Sequence, residues 1–108
     1  MSGTSLDGLD VCYCSFDPTG IKFTIHAAKS YSYSNNWKSK LQNAHQSNAF
    51  ELAQLDADLA KLFSEKVRLF IKAHDIKKVD AISSHGHTVF HQPLTHFTKQ
   101  IASGAYLA

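Results

Sequence analysis

The residues best suited to chemistry open the chain: Met1-Ser2-Gly3-Thr4-Ser5-Leu6-Asp7-Gly8-Leu9-Asp10. Two glycines bracket two hydroxyls and a carboxylate, and an apolar alternating run follows at once. This composition predicts a tight turn, because glycine permits positive φ and lets another group come close to the backbone. Successive backbone N–H groups in such a turn, with the hydroxyls of Thr4 and Ser5 beside them, can cradle a phosphate. Asp7 then suits a hydrated Mg²⁺, a hard cation that prefers carboxylate and water oxygens. The loop is not a Walker A motif, since no Lys-Ser/Thr follows its second glycine. On composition alone the plainer reading, an ordinary Gly/Ser hairpin turn, is favoured.

A second concentration of functional groups is His85-Gly86-His87-Thr88-Val89-Phe90-His91-Gln92-Pro93. Three histidines in seven residues raise the question of zinc. A closed zinc site needs a fourth ligand and a catalytic one needs three well-placed ligands, so hydrogen-bonding roles are favoured here. Cys12 and Cys14 lie two apart on an expected strand, with Cβ atoms too distant for a comfortable disulfide; two buried, reduced thiols are expected. Reduced thiols fit the cytoplasm.

Several elements must position these groups. Leu9 to Phe16 is apolar on both alternating faces, as in a strand covered on two sides. Asp17-Pro18-Thr19-Gly20 is a turn, and Ile21, Phe23, Ile25 and Ala27 then mark one face of a half-buried antiparallel strand. Continuing through Tyr31 and Tyr33, the pair makes a long hairpin. A short helix is expected around Trp37 to Ala44. Asn48 followed by Glu51 predicts a capped helix whose stripe is Leu52, Leu55, Leu59, Leu62, Phe63, Val67 and Phe70. Asp56, Asp58, Lys61, Glu65 and Lys66 fall mainly off that stripe and are read as a solvated face. Val79 to Ser84 is expected to be a short strand after a crossover, with some parallel pairing, and ligands in such α/β sheets bind beyond strand ends. The fold class is therefore α/β: a mixed sheet with a long antiparallel hairpin and then a helix-strand crossover.

Composition excludes several functions. At 108 residues the chain is one small domain at most, and 44% hydrophobic with 19% charged residues argues against disorder. A net charge of +2 with scattered lysines gives no nucleic-acid footprint. No apolar run has membrane-spanning length, and no signal peptide is read at the N-terminus.

MSGTSLDGLD resembles the opening signature of the anhydro-N-acetylmuramic acid kinases, a family of the actin-like, sugar-kinase-like (RNase H-like) ATPases. The histidine stretch resembles the family's second signature, a His-Gly-Gln-Thr run that contacts the sugar; His85, Gly86, Thr88 and His91 match, and His87 stands where the family usually has Gln. Gln100-Ile101-Ala102-Ser103-Gly104-Ala105 resembles a Gln-Ile-Gly-Asp-Gly segment, with Ala102 and Ser103 replacing its first glycine and its aspartate.

The resemblance spans essentially the whole chain and implies a partial N-terminal lobe, residues 1–108, of a longer cytoplasmic enzyme. It implies that Gly3, Thr4, Ser5, Leu6, Asp7, Gly8, Leu9 and Asp10 wrap the phosphates of ATP, with Asp7 reaching Mg²⁺ through water. It also implies that His85, Gly86, Thr88 and His91 contact 1,6-anhydro-N-acetylmuramic acid. The implied reaction is phosphorylation at O6 while water opens the anhydro bridge, giving N-acetylmuramate 6-phosphate and ADP in cell-wall sugar recycling. The family's apolar strand ahead of the methionine is missing here, and its catalytic aspartate is expected beyond Ala108. The isolated chain is therefore expected to lack activity and, through exposed apolar surface, to self-associate or dimerise. The alternative is a non-catalytic remnant of the family that binds sugar or a partner protein.

Overall fold

The computed structural model describes all residues from Met1 to Ala108. Strand β1, Gly8–Phe16, pairs antiparallel with β2, Phe23–Ser32, across the Asp17–Gly20 turn, where the Asp17 carboxylate accepts from Thr19 Oγ1 and from the Lys22 N–H. Helix α1, Asn35–Gln42, is capped by Ser34, whose Oγ accepts from the Trp37 N–H. Helix α2, Ala49–Ala73, starts with the expected capping box: Asn48 Oδ1 accepts from the Glu51 N–H and the Glu51 carboxylate accepts from the Asn48 N–H. Strands β3, His87–Gln92, and β4, Phe97–Ile101, form a second antiparallel pair.

Helix α2 joins the two hairpins. Leu55, Leu59, Ala60 and Phe63 of its stripe are buried against Leu9 of β1, Leu41 of α1, Tyr33, and Ile101 and Ala102 at the end of β4. Burying a side chain the size of Leu59 or Phe63 is worth about 1.5–3 kcal/mol, so this one cluster holds the elements together. No helix is long and apolar enough to cross a membrane.

The structure corrects three expectations. Val79 to Ser84 forms no strand and no parallel pairing occurs: the molecule has two separate two-stranded antiparallel sheets. A strand exists only in a ladder, and no strand of this chain lies paired beside that segment, which leaves Val79 and Ile82 exposed. Strand β1 is covered on one side and only in part, so Cys12 is exposed, Cys14 half-buried, and both are free thiols. Phe23 and Ile25 of β2 are 63% and 59% exposed instead of half-buried, because no element of this chain covers that face. Where the sequence predicts no element, the histidine stretch and the tail make the β3–β4 hairpin, whose connection turns back at His96 in left-handed geometry (φ 61°).

Candidate functional site

The first candidate wall is the loop ahead of β1. Met1 and Ser2 return antiparallel to Leu9 and Asp10: the Asp10 N–H donates to the Met1 carbonyl at 2.8 Å, and the Met1 ammonium donates to the Asp10 carbonyl at 2.5 Å. Met1 and Ser2 thus hold one side of the loop. The Leu6 N–H donates to the Gly3 carbonyl at 3.2 Å and closes the turn. The left-handed position in it belongs to Leu6 (φ 59°), not to either glycine. Gly8 has a different purpose: a Cβ there would lie 2.2 Å from the Tyr31 carbonyl oxygen, so only glycine lets β2 come this close.

The loop's base is therefore fixed and its rim is exposed. Leu9 is buried in the core, so it can offer a ligand only its backbone, and the Asp10 carboxylate accepts from Ser30 Oγ. Gly3, Thr4, Ser5 and Asp7 are exposed and Leu6 is half-buried. At Gly3 an added Cβ would meet nothing closer than Ser5 Oγ at 3.6 Å, so the backbone is open to an approaching group. Two hydroxyls and one carboxylate are hard oxygen donors that fit a phosphate with a water-bound Mg²⁺, from one side only.

The second candidate wall is a cleft of about 240 Å³ between the segment before β3 and the end of β4. Its polar rim is Asp56, Ser84, His85, Gln100 and Ser103, the kind of convergent hydroxyl, amide, imidazole and carboxylate set that binds sugar hydroxyls. Gly86 shapes it. Its φ is +72° and a Cβ would lie 2.1 Å from the Ile101 carbonyl oxygen, so the chain turns here only with glycine.

Asp56 escaped the sequence reading. Its Oδ1 accepts from the Ala102 N–H at 2.7 Å and the Ser103 N–H at 2.8 Å, which clamps the end of β4 to α2. The clamp holds Ala102 in left-handed geometry, φ 79°, at the position where the resembling segment has glycine. A signal was present: Asp56 lies four residues after Leu52 and three before Leu59, on the border of the buried stripe and not on the solvated face. Asp58 instead accepts from Gln54 Nε2 along the helix surface at 3.1 Å.

The three histidines diverge. His85 is exposed and lines the cleft. His87 is 3% exposed and turns away, its Nδ1 lying 2.9 Å from the buried Ser2 Oγ, which in turn accepts from Tyr33 Oη at 2.6 Å. His91 is exposed near the far end of β3, with Nδ1 2.9 Å from Thr98 Oγ1. Thr88 is half-buried on β3, its hydroxyl accepting from Gln100 Nε2 at 3.3 Å. Of the four expected sugar contacts, His85 and Gly86 lie at the cleft, while Thr88 and His91 lie along the strand leading away from it. No group of three or more His, Cys, Asp or Glu side chains is placed to hold a metal ion.

Burial holds the His87 imidazole below its ordinary pKa, with nearby His85 adding to the effect and a hydrogen bond to the Ser2 backbone opposing it. The ring is neutral. Tyr33 donates to Ser2 Oγ, and that oxygen keeps both its proton and a second lone pair for Nδ1, so the Ser2–His87 bond forms with either ring tautomer.

All of residues 1–108 match the family model described as anhydro-N-acetylmuramic acid kinase. The anhydro-N-acetylmuramic acid kinase of Sulfurimonas denitrificans is 33% identical over 97 residues, covering 86% of this chain and 26% of that protein. The kinase of that description from Thiobacillus denitrificans is 34% identical over 111 residues, covering 100% of this chain and 30% of that protein. The one from Vibrio cholerae is 32% identical over 115 residues, again covering 100% of this chain and 30% of that protein. The chain thus spans under a third of the length of these curated relatives.

Proposed function

The chain belongs to the anhydro-N-acetylmuramic acid kinase family, and from that premise we propose that residues 1–108 form part of the first lobe of such a kinase. In this reading the enzyme transfers a phosphoryl group from ATP to O6 of 1,6-anhydro-N-acetylmuramic acid while water opens the anhydro bond. N-acetylmuramate 6-phosphate is the product. The observation that carries the reading is the Ser2–His87 hydrogen bond: it sets the loop and the cleft side by side, as transfer between a nucleotide and a sugar requires.

Each wall has a task. Gly3, Thr4, Ser5 and Asp7 would hold Mg-ATP, which supplies the phosphoryl group and a cation to neutralise charge on it. Asp7 is the exposed carboxylate of the loop, whereas Asp10 is committed to Ser30. In the cleft, His85, with Ser84 and Gln100 beside it, would orient sugar hydroxyls, and Gly86 keeps the turn tight enough to present them. Asp56 is tied to two backbone N–H groups, so it serves the cleft as a strut and is not free to activate water. The base that activates water is then supplied from outside these residues, and the 108 residues alone form no product.

The test is Asp7→Asn in the kinase that carries this sequence, assayed for the 6-phosphate product with Mg-ATP and the anhydro sugar. Turnover should fall at least tenfold with Mg-ATP binding weakened; unchanged kinetics would remove the loop from the nucleotide site. A non-catalytic remnant would instead bind the sugar and give no product with either residue at position 7.

A further inference from the structure

We propose that His87 is a positioning residue that, through Ser2 and Tyr33, locks the loop ahead of β1 to the turn ahead of β3, so that the two walls are set as one unit. The functional meaning rests on the reading of these walls as nucleotide and sugar sides; the mechanical claim does not. Three observations carry it.

The chain of hydrogen bonds is buried at each of its members: Ser2 and His87 are 3% exposed and Tyr33 6%. Polar groups so placed must be paired or the structure loses the desolvation cost of each unpaired atom. Next, the chain reaches both ends of the loop. Tyr33 donates its hydroxyl to Ser2 Oγ before the loop and its N–H to the Asp7 carbonyl after it, at 2.6 and 3.2 Å. Lastly, His87 is rigid at the other end. It directly follows Gly86 and pairs across the hairpin with Ile101, whose carbonyl oxygen closes on Gly86 and whose neighbour Ala102 is clamped by Asp56. A displacement of the loop therefore reaches the cleft through Ser2 Oγ, and neither wall shifts alone.

His87 stands where the resembling signature has Gln, another hydrogen-bonding side chain. The structure gives the exchange a physical basis: a glutamine amide can accept from Ser2 Oγ or donate to it, as an imidazole Nδ1 can.

The experiment uses the full chain and needs no ligand. Long-range ¹H–¹⁵N correlations of the imidazoles should show His87 neutral and held in a single tautomer. Amide hydrogen exchange should then be read at Leu6 and Asp10 on the loop side and at Gly86 and Ala102 on the cleft side. His87→Leu and Ser2→Ala should each speed exchange about tenfold on both sides together, and His87→Gln should stay within about twofold of the parent. Rapid exchange between the two ring tautomers in the parent chain would overturn the proposal. So would acceleration confined to one wall, or His87→Gln behaving like His87→Leu. If His87→Leu unfolds, Ser2→Ala and the parent tautomer still decide. Loss of activity in Asp7→Asn bears only on the nucleotide assignment, so the two readings fail separately.

Discussion

Replacing Gly86 with alanine should unsettle the cleft more than any other single methyl addition at a glycine on that side of the molecule. Two costs add. At φ +72° an L-residue in left-handed geometry is less stable by about 1–2 kcal/mol. The new Cβ would also stand 2.1 Å from the Ile101 carbonyl oxygen, a backbone atom that cannot rotate aside, and forcing such an overlap apart costs roughly 1–3 kcal/mol. Reduced freedom of the unfolded chain returns about 0.4–1 kcal/mol. The net loss is about 1–4.6 kcal/mol against the total of roughly 5–15 kcal/mol typical of a domain. With about 4–8 °C per kcal/mol for a chain of this size, Tm should fall by roughly 4–37 °C in a calorimetric or circular-dichroism melt. Gly104→Ala is the control: no atom lies within 4 Å of its added Cβ and its φ is not positive, so its Tm should hold or rise slightly. A Gly86→Ala melt within about 3 °C of the parent would refute both the backbone geometry and the close approach.

Three further outcomes are expected. Because His87 titrates below its ordinary value when folded, the unfolded chain binds the extra proton first; stability is full above about pH 6.5 and is lost as pH falls toward the folded value, and urea midpoints should show this loss shrinking in His87→Gln. An increase of stability on acidification through that window would contradict the buried neutral ring. Asp56→Ala should cost about 1.5–3 kcal/mol by urea unfolding, with Asp56→Asn costing less than half as much, since the amide oxygen can still accept the two N–H bonds; equal losses in the two variants would argue against the clamp. The isolated chain should self-associate through the uncovered face of β2, where Phe23 and Ile25 are 63% and 59% exposed, and Phe23→Lys should shift sedimentation toward monomer; a monomer at all concentrations would show that this face needs no cover.

Local chemistry determined the parts of this protein that the sequence made legible. Asn48 and Glu51 cap α2 because a side-chain oxygen and a backbone N–H meet within one turn, and the Leu52-to-Phe70 stripe is buried because its spacing puts those residues on one face. Asp17 to Gly20 turns the first hairpin for the same kind of reason. The resemblance of the loop and the histidine stretch to one kinase family was legible too, and the family match over residues 1–108 agrees with it. Only tertiary structure decided which groups face each other across distance in the chain. Ser2 and His87 are 85 residues apart, and no periodicity links them; their bond exists because α2 buries β1 and the end of β4 in one core. Asp56 became a clamp when the end of β4 presented two N–H groups to it, and Leu6 took the left-handed position because the turn between Gly3 and Gly8 is closed by strands that fix both its ends. Val79 to Ser84 is the converse case: its residues favour a strand, but a strand is a property of two segments, and in this chain the second is not beside it.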